Sequence, residues 1–153
     1  MTSLANLPPF VLAHIFQYLT ADQRAQAATT CRSLYHASTA IAVQRRVSFS
    51  RKYGYRLRGT QLRGLLQHSF GGVVAHLDLS ACMFPDTYTL CQLTRQVASR
   101  LLSLRVGGNL VDDTTIMFIA VFCGNLRSFD VCRSTSRSGN YTELSDAGMT
   151  MLS

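Results

Sequence analysis

The chain has 153 residues, 47% hydrophobic and 15% charged, with a formal net charge of +7. That length can bury an ordinary core, and no apolar run approaches the eighteen or more residues of a membrane helix. Five cysteines, at positions 31, 82, 91, 123 and 132, form no CxxC pair and leave an odd one over, which argues for reduced thiols and against a secreted disulfide scaffold. The charge is lopsided. From Gln23 to Leu77 nine basic residues meet no acidic one, whereas from Asp78 onward six arginines face seven acids, so any electrostatic partner surface belongs to the first half.

Leu7-Pro8-Pro9 starts a first helix, because proline suits a first turn where its missing N–H costs nothing. The pattern carries this helix to about Leu19. Between Phe10 and Leu19 only His14 and Gln17 are plainly polar, so the helix is apolar all round and something must cover it. Thr20, with Asp22 two residues on, caps a second helix expected over Gln23 to Tyr35, with Ala25, Ala27 and Ala28 followed by Cys31 and Leu34. A third short helix over Ala37 to Gln44 completes a helical head, residues 1–46.

Residues 47–153 read as a repeat. Val74-x-x-Leu77-x-Leu79-x-x-Cys82, Leu101-x-x-Leu104-x-Val106-x-x-Asn109 and Leu126-x-x-Phe129-x-Val131 share one template, with central residues 27 and then 25 apart. A period in the twenties is a solenoid signal. Helices are expected between the short strands, over Thr87 to Leu101, Thr114 to Phe122 and Ser145 to Leu152. Arg46 to Phe49 with Gln61 to Gln67 forms an irregular first unit, and the last unit is incomplete. That leaves Leu144, Met149 and Leu152 partly exposed. The fold class expected is α/β: a helical head, then three to four stacked units with a parallel sheet. Alternation along the strands turns Leu77, Leu104 and Phe129 inward and sets Asp78, Arg105 and Asp130 in one outward row. His76, Ser103 and Ser128 stand beside that row, and the loop Arg133 to Thr142 lies over it. At that spacing Arg105 can bridge both aspartates as a structural ladder; the functional alternative makes this row the candidate substrate-binding surface.

No catalytic constellation, cofactor motif or metal site is legible. The histidines at 14, 36, 68 and 76 have no paired-ligand spacing with the cysteines, and Gly71-Gly72 and Gly107-Gly108 lack the frame of a phosphate loop. Cys31, Cys82 and Cys123 fall at internal template positions and read as inert core thiols.

Taken together, residues 7–46 resemble the F-box. Leu7-Pro8, Leu12, Ile15-Phe16, Tyr18-Leu19, Asp22, Ala27-Ala28, Cys31-Arg32 and Ala37 fall in that family's order and spacing. The second half is similar to cysteine-containing leucine-rich repeats, through Cys82, Cys123-x-x-Leu126, Val111-Asp112 and the run Leu144 to Met149. The order of the two parts resembles the F-box/leucine-rich-repeat proteins. Arg24 and Pro9 stand where that family usually has leucine and an acid.

The resemblance implies a non-catalytic substrate receptor of a Skp-cullin-F-box ubiquitin ligase. Leu7, Pro8, Leu12, Ile15, Phe16 and Leu19 would hold the Skp adaptor, and through it a cullin-RING ligase, in the cytoplasm or nucleus. The repeats would hold a protein substrate for degradation. Lys52, the single lysine, would be the side chain open to the ligase's own modification. A runner-up reading is a basic module in which Arg45 to Arg63 grips nucleic acid or an acidic surface. Few aromatics and no recognition motif accompany those charges, which argues against nucleic acid as the partner. A truncated, non-catalytic interaction protein is the third.

Overall fold

The computed structural model describes residues 4–69, 72–82, 87–107 and 111–132. Pro8 is extended and Pro9 opens helix α1 (Pro9–Phe16). The helix ends three residues short of Leu19, because the chain tightens: Tyr18 N–H donates to the Ile15 carbonyl at 3.1 Å and Leu19 N–H to that of Phe16 at 3.2 Å. Such i to i+3 bonds satisfy carbonyls that the helix end leaves open.

Thr20 precedes α2 (Ala21–Ala28), and its backbone N–H donates to Gln23 Oε1 at 2.9 Å. The single helix expected over Gln23 to Tyr35 is in fact two. Thr29 and Thr30 turn their hydroxyls onto the carbonyls of Gln26 and Ala27, each at 2.7 Å, and Cys31 is fully extended before α3 (Arg32–Ser38). Hydroxyls that bond to the preceding turn compete with the helical ladder. The same competition corrects the third helix. Ala37 and Ser38 finish α3, the hydroxyls of Ser38 and Thr39 take the carbonyls of Tyr35 and His36, and only a single turn, α4 (Ile41–Gln44), follows. The three main helices close over a small core of Leu12, Phe16, Leu34, Ala37 and Val43.

Beyond the head lies a four-stranded parallel sheet in the order β1 (Arg46–Ser48), β2 (His76–Asp78), β3 (Ser103–Gly107), β4 (Ser128–Cys132). Val47, Leu77, Leu104 and Phe129 stand in line across it. Short helices join the strands: α5 (Arg51–Gly54) and α6 (Gly59–Gly64), then α7 (Thr87–Val97) and α8 (Asp113–Phe122). A π-helical stretch, Leu65–Ser69, continues α6, and a 3-10 turn, Ala98–Arg100, finishes the segment expected to be helical to Leu101. Parallel strands need crossovers, and here α6, α7 and α8 lay apolar residues on one face of the sheet. Leu62, Leu66, Leu90, Leu93, Ile116 and Ile119 meet Leu77, Leu79, Leu104 and Val106 there. Phe129 and Leu126 are only partly buried. The helix expected over 145–152, the loop Arg133 to Thr142, and Asn109 lie outside the described residues.

Head and sheet are joined without a linker. Helix α4 ends at Gln44 and β1 begins at Arg46. Arg24 of α2, 5% exposed, donates from its two terminal nitrogens to the carbonyls of Val43 and Arg46. Asp22 accepts from the Ser50 backbone N–H at 2.9 Å and from its hydroxyl at 2.6 Å. Thus Arg24 serves as a buried staple, charged and bonded to carbonyls, with its Nε without a hydrogen-bond partner among the described residues.

Candidate interaction surfaces

The six head positions singled out in the sequence do not share one surface. Leu12 and Phe16 are each 1% exposed and belong to the core, because positions four apart lie on one face of α1. Leu7 and Leu19 pack partly buried against that core, Ile15 is half-buried, and Pro8 is exposed. Sequence reasoning missed the opposite stripe. Phe10 is 75% and Tyr18 76% exposed, and His14 lies between them with its ring edge-on to Tyr18 at 5.5 Å between centroids. The same four-residue spacing, 10, 14, 18, was the signal available. Solvent meets Pro8, Phe10 and Tyr18, with the edge of Ile15.

The sheet's outer face carries a charged row. Asp78, Arg105 and Asp130 are direct partners on adjacent strands. Arg105 reaches Asp130 Oδ2 at 3.0 Å through Nε and Asp78 Oδ2 at 3.9 Å through Nη1. His76, Ser103 and Ser128 stand in register two residues before them, on the same face. Asp78 also accepts from the backbone N–H and hydroxyl of Ser80, at 2.9 and 2.6 Å, and so holds the turn after β2. One member escaped the sequence reading: Cys132, two residues beyond Asp130, accepts from Arg105 Nε at 2.7 Å. Its thiol, with the two flanking carboxylates, holds the Arg105 guanidinium above its ordinary pKa.

Burial, helped by the charges of Arg46 and Arg45, holds the His76 imidazole below its usual 6.5, so it is neutral at physiological pH. Asp112 caps α8, accepting from the Thr115 backbone and hydroxyl at 2.8 Å each and from Thr87 Oγ1 at 3.1 Å. These bonds outweigh the cost of its partial burial and set its pKa below 3.8. Cys82 is buried beside Asp78, and burial first and that charge second push its thiol up to about 12. Burial also raises Cys91 and Cys123. These three thiols are therefore protonated and unreactive, while Cys31 is half-buried at the rim of the head core. Among the described residues, no three His, Cys, Asp or Glu side chains gather as a metal site, and no helix is long and apolar enough to cross a membrane.

Residues 4–50 match the family model described as F-box-like, a span that takes in α1 to α4 and β1. No curated protein matches the chain. The N-terminal region is thus an F-box-like helical unit, joined to a small parallel sheet with helices on one face.

Proposed function

We propose that this chain is a substrate receptor of a Skp-cullin-F-box ubiquitin ligase, itself without catalytic chemistry. The observation that carries the reading is the F-box-like match over residues 4–50. Exposed apolar side chains at α1 support it: Phe10 on the helix, Pro8 just before it and Tyr18 just after it stand open to solvent, and Ile15 is half-buried. Fully burying one such large side chain contributes about 1.5–3 kcal/mol before association costs. On this reading the Skp adaptor docks against the Leu7 to Leu19 segment, with Leu12 and Phe16 holding the surface in shape from beneath.

Under the same reading the domain boundary falls at 46, and residues 47–153 are leucine-rich repeats stacked as a short solenoid. The in-register line Val47, Leu77, Leu104 and Phe129 supports that assignment. The outward row of His76, Asp78, Ser103, Arg105, Ser128 and Asp130 is then the surface for a protein substrate marked for degradation. The site of action is the cytoplasm or the nucleus.

Affinity purification of the full chain from cells, scored for the Skp adaptor and a cullin, tests the proposal. Both should be retained, and Phe10→Asp combined with Ile15→Asp should release both from a protein that melts as the parent does. Failure of the parent chain to retain the adaptor, or retention unaltered by the double substitution, overturns it.

A further inference from the structure

A groove of about 870 Å3 runs between the α5–α6 connection and the first turns of α7, on the side of the sheet away from the charged row. Leu57 lies at its floor. Arg56, Arg58 and Arg63 stand along one wall beside Tyr55, and Tyr88 faces them from α7. The walls come close because residue 59 is glycine: a Cβ there would meet the Thr89 methyl at 2.4 Å. Among the described residues no acidic side chain lines the groove and none of its three guanidinium groups has an acidic partner. Tyr55 and Tyr88 are 65% and 70% exposed, so both present ring surface to a ligand.

We propose that this groove binds single-stranded nucleic acid, with phosphates on Arg56, Arg58 and Arg63 and bases stacked on Tyr55 and Tyr88. Guanidinium groups along a groove interleaved with accessible aromatic rings match a flexible chain of alternating phosphates and bases. An acidic peptide fits less well. Peptides in extended form are held largely through their backbones, and here the N–H groups of Arg56, Leu57 and Arg58 are already given to Tyr53 O, Gly54 O and Gln61 Oε1 at 2.9, 3.2 and 3.0 Å. A duplex would leave the two rings idle. The sequence hid this arrangement because the aromatics nearest the arginines mislead. Phe49 is buried and Tyr53 stacks beside it at 6.3 Å, whereas the ring that completes the groove comes from residue 88.

Fluorescence anisotropy of the full chain with labelled oligo-dT and oligo-U of about a dozen nucleotides tests the proposal, a length within the usual site size. Three phosphate contacts at about 0.7 each give a log–log salt slope near −2, or roughly twentyfold weaker binding between about 50 and 200 mM salt. Arg58→Gln should flatten the slope by about 0.7. Tyr88→Ala should weaken binding about tenfold without altering the slope, and Tyr88→Phe should restore it. The tighter of the two oligonucleotides identifies DNA or RNA as the source. Equal binding of a duplex of the same charge, tighter binding of a poly-glutamate peptide, or indifference to Tyr88→Ala each overturns the assignment.

Discussion

Phe10 on α1 and Leu104 on β3 are both large, apolar and set within regular elements, yet Phe10 is 75% exposed and Leu104 is fully buried. The contrast extends to their surroundings. Among the described residues the sheet and its helices enclose twenty buried core residues, and the head encloses five. A strand alternates, so every second residue can be apolar and all of those can face one core. Helix α1 is apolar on both sides and can bury only one of them, here the side of Leu12 and Phe16. The inward side of the sheet therefore goes into its own core, whereas α1 leaves its Phe10 side on a surface.

Substitutions break or sharpen this comparison. The largest effect is expected at Leu104→Ala, which should cost about 2–5 kcal/mol in denaturant unfolding through lost transfer energy and a residual cavity. Phe10→Ser, by contrast, should stay within about 0.5 kcal/mol of the parent. A cost at Phe10 approaching that at Leu104 would mean that the head closes over this ring and that the two regions do not differ.

The junction comes next. Arg24→Met keeps volume but removes the hydrogen bonds to the carbonyls of Val43 and Arg46, and should cost about 1–3 kcal/mol by the same measurement. A neutral result would show that the head stands without its tie to β1.

Acid should reveal a smaller term. Burial works against ionisation of Asp22, but the Ser50 hydroxyl and N–H outweigh it and set the folded pKa below 3.8; Asp112 behaves likewise through Thr115 and Thr87. A carboxyl depressed on folding stabilises fully above its unfolded value and loses that contribution as pH falls through the folded one. His76 acts in the same direction at higher pH: its folded pKa lies below 6.5, so the unfolded chain takes up the proton first and stability falls as pH drops below about 6.5. Unfolding compared near pH 6 and about pH 3 should therefore show the parent weakened by acid, and Asp22→Asn should narrow the gap. An unchanged gap would remove Asp22 from the account.

The smallest effect on stability is expected at Arg105→Gln, since the row it joins is solvent-exposed and screened. Its Tm should move by no more than about 2 °C, while, on the function proposed above, substrate capture through the sheet face should fall. A large shift in Tm would mean that the row exists to hold strands together.

The sequence disclosed these two regions unequally, for the same reason that they differ. The register of Leu77, Leu104 and Phe129, and with it the row Asp78, Arg105 and Asp130, was legible because a period of two leaves a polar residue beside every buried one. Helix boundaries in the head were not. The breaks at Thr29 to Cys31 and at Thr39 and Ala40 turn on whether four hydroxyls bond backward to carbonyls, a choice that composition does not announce. Arg24 stood out in the sequence only as one of nine basic residues and as a departure from the resembled pattern, because the carbonyls that make its burial tolerable lie 19 and 22 residues away. Which face of α1 would be left outside was hidden by its being apolar all round, and only the pairing of Leu12 with Phe16 decided it.

One residue separates α4 from β1, and four hydrogen bonds, two accepted by Asp22 and two donated by Arg24, brace that passage. A flexible tether would let molecules held at its two ends explore many separations, and their effective concentration toward each other would fall with its length. Here the α1 stripe and the outer face of the sheet stand at a set distance and angle, like two marks on a ruler. Whatever grips one mark meets whatever grips the other in a fixed pose, so a change in the brace would alter reach and aim before it altered affinity at either end.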